Sequence, residues 1–93
     1  MTFFNHMNRS ELLKAQNAVT EVIEEYGRAT KSSGAFNSAH EGFAVLLEEV
    51  DELKAEVWKN RKTRDLVLMK KEAVQVAAMA IRFIADVCGE VQS

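Results

Sequence analysis

Apolar residues along this chain recur every three or four positions and never alternate for long, so the pattern predicts helices and offers no home for a strand. Three helical stretches stand out, over about residues 9–26, 38–59 and 64–88. In the first, Leu12, Ala15, Val19, Val22, Ile23 and Tyr26 form one stripe. Asn8 and Glu11 stand in capping-box register at its start, and Gly27 is its candidate stop. Glu21, Glu24 and Glu25 lie beside the stripe and read as a solvated face. Residues 28–37 contain Ser32-Ser33-Gly34 and little periodicity, so they are expected to form a loop, long for a helical domain and able to cover a ligand.

Ser38 and Glu41 repeat the capping-box spacing ahead of the second helix. Wound at about 100° per residue, that helix gathers Phe43, Leu46, Leu47, Val50, Leu53, Val57 and Trp58 in one arc, with Glu41, Glu48, Glu49, Glu52 and Glu56 opposite. Phe43 and Trp58 are thus expected in the core. The third helix has Thr63 available to cap its start and Gly89 as its stop, and it is apolar nearly all round, from Leu66, Val67, Leu68 and Met69 through most of 76–87. Such a helix must be buried on most sides, which three helices of one chain can hardly arrange. The expected architecture is therefore all-α: three main helices per chain in an antiparallel bundle completed by homo-oligomerisation, with the third helix central. Arg82 and Asp86, on its narrow polar strip with Gln75, have the spacing of an i,i+4 ion pair.

Composition sharpens this picture only modestly. With 93 residues, 47% of them hydrophobic and 28% charged, the chain reads as a single globular domain spanning 1–93. A formal net charge of -2 gives no reason to expect nucleic acid or an anionic membrane as a partner. The first nine residues lack the basic start and apolar core of a secretory leader, and no apolar run approaches the roughly 20 residues needed to cross a bilayer, so a cytoplasmic location is expected. The lone cysteine, Cys88, falls in the apolar helical pattern and reads as a buried thiol in a reducing compartment.

The acidic side of the second helix is where chemistry is suggested. Glutamates three or four positions apart repel by a few tenths of a kcal/mol per pair, and only Lys54 interrupts the run. A divalent cation is the natural missing partner. Glu49 and Glu52 share a face at i,i+3, and antiparallel packing across a short connection can bring Glu72 to them. Glu72 itself shares a stripe with Val76, Met79 and Phe83, where an unpaired carboxylate is costly to bury. An oxygen-only donor set suits Mg²⁺, with Mn²⁺ as a substitute, rather than zinc.

The run Glu49-Val50-Asp51-Glu52, followed after a turn by Glu72-Ala73-Val74-Gln75, resembles the MazG-like branch of the all-α NTP pyrophosphatases. The family pattern is Glu-x-x-Glu, then one to two dozen residues, then Glu-x-x-Asp. The resemblance covers about 38–87, and the stretches around His40-Glu41-Gly42-Phe43 and 75–80 look like small phage-type or mobile-element members. It implies Mg²⁺-dependent hydrolysis of a nucleoside triphosphate between the α and β phosphates, in a dimer or tetramer that cleans the nucleotide pool. By position it makes Glu49, Glu52 and Glu72 catalytic metal ligands, with Gln75 standing where the family has an acid. An amide oxygen still ligates but carries no charge. Glu48, Glu56 or Asp86 are candidates to compensate. His40 is a candidate phosphate or base contact, or a structural residue at a helix start. Lys59, Arg61, Lys62 and Lys71, with Arg64 and Lys70, either complement helix dipoles or contact phosphate oxygens. The alternative to an enzyme is a non-catalytic helical homo-oligomer, or a nucleotide binder with a degenerate metal site, to which Gln75 points.

Overall fold

A computed structural model of the chain describes residues 6–89. Residues 1–5, part of the stretch read above for a leader, and residues 90–93 lie outside the description. The chain forms three helices, α1 (Arg9–Ser33), α2 (Ala39–Val57) and α3 (Leu66–Phe83), and the last continues into a π-helical turn, Ile84–Cys88. Among the described residues there is no strand. Both α1 and α2 pack on α3 and hardly touch each other, so α3 is central within the single chain.

The caps explain most of the boundaries. At α1 the expected box closes in both directions: the Glu11 N–H donates to Asn8 Oδ1 at 2.8 Å, and the Asn8 N–H donates to Glu11 at 3.3 Å. At α2 only half forms. The Glu41 N–H donates to Ser38 Oγ at 3.1 Å, while the Glu41 carboxylate accepts from the Asn37 N–H at 2.6 Å instead of turning back to Ser38. The cap of α3 is Asp65, not Thr63. One Asp65 oxygen accepts from the N–H groups of Val67 and Leu68, whereas the Thr63 hydroxyl donates to the Asn60 carbonyl. At the far end of α2, Arg64 donates to the Val57 carbonyl at 2.9 Å, the dipole-complementing role open to a basic residue there.

The first helix does not stop at Gly27 but runs to Ser33. Helix propensity at one glycine is a penalty of only about 1 kcal/mol, and the extra turns gain contact with α3. The stop is Gly34, whose φ of 72° is backbone that side-chain-bearing residues resist. The expected ten-residue loop shrinks to 34–38.

On α2 the face turned to the rest of the chain carries Gly42, Val45, Leu46, Glu49, Leu53, Glu56 and Val57, roughly a quarter turn from the apolar arc. Gly42 sets this rotation: a Cβ there would lie 2.8 Å from the Phe83 ring and 3.0 Å from that of Phe36. Close approach at the glycine brings Glu49 and Glu56 inward and swings Phe43, Leu47 and Val50 out. Phe43 and Trp58 are therefore exposed, at 58% and 74%, and Trp58 carries only the Lys54 ammonium near its ring. Cys88 is exposed too, because the wider π turn departs from the register that would have kept it on the apolar stripe. The buried apolar side chains are Ala78 and Met79 alone among those described.

Candidate functional site

The rotation of α2 builds the site. Glu49 and Glu52, one turn apart on α2, face Glu72 on α3, and one carboxylate oxygen from each lies within 4.8 Å of the others. Glu49 and Glu72 are half-buried and Glu52 is exposed, so the cluster opens to solvent on one side. One Glu49 oxygen is buried with no hydrogen-bond partner among the described residues.

Three carboxylates this close cannot all hold charge comfortably. Burial pushes the Glu49 carboxyl up to about 7, helped by repulsion from Glu52 and Glu72 and by a hydrogen bond with Glu52 that needs one group protonated. Burial likewise raises Glu72, reinforced by Glu52 and opposed by the neighbouring Lys71 ammonium. The chemistry of the cluster would suit a hard divalent cation, since every donor it offers is a carboxylate oxygen. Gln75, one turn beyond Glu72, lines the space next to Glu49.

The other residues singled out in the sequence scatter. Glu48 stays exposed on the outer flank of α2 and bears on Glu49 only through its charge. Glu56 is the exception: one turn past Glu52 on the inward face, it is bound by Lys59 at 2.9 Å and its charge bears on Glu72. His40 is exposed at the opposite end of α2, beside Phe43 and Phe83 and about 13 Å along the axis from Glu49. Arg61 and Lys62 sit in the turn after α2, and Lys70 pairs with Glu21 of α1 at 2.7 Å. Lys71 is the one of the proposed phosphate contacts that adjoins the cluster, next to Glu72.

Arg82 and Asp86 do not pair with each other. Arg82 donates to the Gly34 carbonyl at 2.6 Å and lies over the Phe36 ring, and Asp86 accepts from the Phe36 N–H at 3.1 Å. Both residues clamp the connection between α1 and α2 onto α3. A fold-back of this kind has no local signature, because the Gly34 carbonyl that Arg82 meets is 48 residues away. Its one trace in the sequence is an arginine four residues after Ala78 and three after Met79, on the stripe that proves most buried.

Two hollows share walls near the carboxylates, and only the smaller is lined by one of them, Glu49. The larger, about 620 Å³, lies between α1 and α3 with Glu21, Glu25, Arg28, Lys70, Lys71 and Gln75 on its walls. The smaller, about 270 Å³, shares Glu25, Arg28 and Gln75 with it and reaches Glu49, Ser32, Ser33 and Arg82. Their α1 walls were not apparent from the sequence, since Glu25, Arg28 and the two serines read there as solvated face and loop. Against known protein families, curated protein sequences and solved structures, the chain finds no match.

Proposed function

We propose that this protein is a Mg²⁺-dependent nucleoside triphosphate pyrophosphohydrolase, which converts a (d)NTP and water to the (d)NMP and pyrophosphate. The observation that carries the reading is the meeting of Glu49, Glu52 and Glu72, the residues matched to the MazG-like pattern, within 4.8 Å of one another. In this reading the three carboxylates hold Mg²⁺, or Mn²⁺ in its place, with the Gln75 amide oxygen as an auxiliary ligand. Bound there, such an ion would supply positive charge against the triphosphate and Lewis acidity toward the attacking water. The chain's own part is positional. Half-buried Glu49 and Glu72 are fixed by helix packing, while exposed Glu52 leaves an approach for substrate. Water attacks the α-phosphorus and the bond to the bridging α–β oxygen breaks, with pyrophosphate leaving.

Open apolar surface supports the homo-oligomer, dimer or tetramer, that belongs to the same reading. Phe43, Leu47 and Val50 on α2 and Val19 and Ile23 on α1 are all at least 40% exposed. Glu52→Gln removes one charge from the ligand set without touching the packed face. It is expected to abolish metal-dependent pyrophosphate release while the circular dichroism spectrum stays helical. Undiminished turnover in that variant sinks the assignment.

A further inference from the structure

The guanidinium of Arg82 is the most deeply buried charge in the described chain, with 4% of the residue exposed. It carries five N–H donors. One reaches a strong acceptor, the Gly34 carbonyl at 2.6 Å, and another reaches only the Met79 sulfur at 3.4 Å. Its Nε has no partner at all, and no carboxylate pairs with it among the described residues. The carbonyl end of α1 offsets part of the charge, since a helix terminus is equivalent to roughly half an elementary charge. The Phe36 face, 4.2 Å from the guanidinium carbon, adds a weaker attraction. A buried cation so incompletely met is costly unless something else completes it.

The smaller hollow adjoins it. Of the charged groups on that hollow's walls, Arg28 and Glu25 cancel in a 2.9 Å ion pair, and Glu49 belongs to the carboxylate cluster, where a divalent ion would take up its charge. What is left over is the positive charge of Arg82, with Ser32 and Ser33 on the same walls. We propose that this hollow is an oxyanion subsite that takes phosphate oxygens, with Arg82 as its buried cation and Arg28 at its outer edge. A guanidinium suits phosphate because its planar donors meet two oxygens at once. Because Glu49 lines the hollow and also belongs to the carboxylate cluster, phosphate oxygens held here would lie beside that cluster. That the oxyanion is the substrate's own phosphate chain rests on the pyrophosphohydrolase reading, as does the cation that would offset Glu49.

The test is a calorimetric titration of the full chain with inorganic pyrophosphate, with and without Mn²⁺. Wild type is compared with Arg82→Gln, which removes the charge and keeps an amide donor, and with Arg28→Gln; Mn²⁺ binding is followed separately by electron paramagnetic resonance. Loss of a charged hydrogen bond predicts roughly ten- to hundredfold weaker pyrophosphate binding in Arg82→Gln and a smaller, severalfold loss in Arg28→Gln. Mn²⁺ binding stays as in wild type. Pyrophosphate that fails to bind wild type in either condition, or binds a helical Arg82→Gln as well as wild type, overturns the subsite and leaves the metal reading standing. If Mn²⁺ does not bind while Arg82-dependent pyrophosphate binding persists, the metal reading fails and the subsite stands. Should Arg82→Gln lose its helicity, Arg28→Gln decides alone, and unchanged affinity there overturns the proposal.

Discussion

Glu49 is the residue on which the chemistry of the cluster turns. Its carboxyl titrates near 7 when folded against an ordinary value near 4.5, because burial and two facing carboxylates oppose its charge. Between these values the folded chain binds more protons than the unfolded one, so stability falls as pH rises through that window. Metal-free protein in chelator is therefore expected to melt at progressively lower temperature from about pH 4.5 to about 7, and Glu49→Gln to flatten that dependence. Mg²⁺ should oppose the loss, since it takes the place of the proton and its affinity rises with pH. A melting temperature that climbs across the window in chelator contradicts this description of the cluster. The Glu49 and Glu52 pair was legible in the sequence because both residues lie on one helix. Glu72 was legible through the short α2–α3 connection. Arg82 was not, since its partners come from a distant segment and an i,i+4 acid offered a simpler local pairing.

At the scale of the helices, two glycines separate local preference from packing. Gly27 lies exposed inside α1 with nothing within 4 Å of the place a Cβ would occupy. Gly27→Ala should then stabilise by about 0.5–1 kcal/mol, the difference in helix propensity. Gly42 lies inside α2 and carries the same propensity penalty, yet a Cβ there meets the rings of Phe83 and Phe36. Overpacking typically costs about 1–3 kcal/mol, so Gly42→Ala is expected to destabilise on balance. Urea denaturation of the two variants measures both; stabilisation by both would mean that α2 does not approach α3 at Gly42. The same distinction explains what the pattern of residues revealed. Helix number, order and the Asn8 and Ser38 starts followed from spacing and capping. The end of α1 was misplaced because Gly27 and the two serines look like breakers, and local signals do not register the contacts with α3 that carry the helix on to Gly34. The inward face of α2 was misjudged for a related reason: hydrophobicity pointed to Phe43, whereas the close contact is made at Gly42.

The whole molecule is an open slab, 44 × 37 × 19 Å, with a radius of gyration of 15.4 Å, where a compact domain of about 100 residues has about 13 Å. No described helix is long and apolar enough to cross a membrane. In the proposed homo-oligomer the exposed apolar residues of α1 and α2 would meet a second copy of the chain. Size-exclusion chromatography with light scattering is expected to give a dimer or tetramer, and Phe43→Glu combined with Leu47→Glu to shift it toward monomer. A monomeric wild type argues against that assembly.

The central claim is chemical, and the most direct measurement is of products. The purified protein is incubated with a panel of canonical and modified (deoxy)nucleoside triphosphates, with and without Mg²⁺ or Mn²⁺, and the nucleotides are separated by chromatography. Nucleoside monophosphate and pyrophosphate in equal amounts, formed only with metal and lost in Glu52→Gln, is the predicted result. No turnover across the panel, or cleavage to diphosphate and orthophosphate instead, contradicts it.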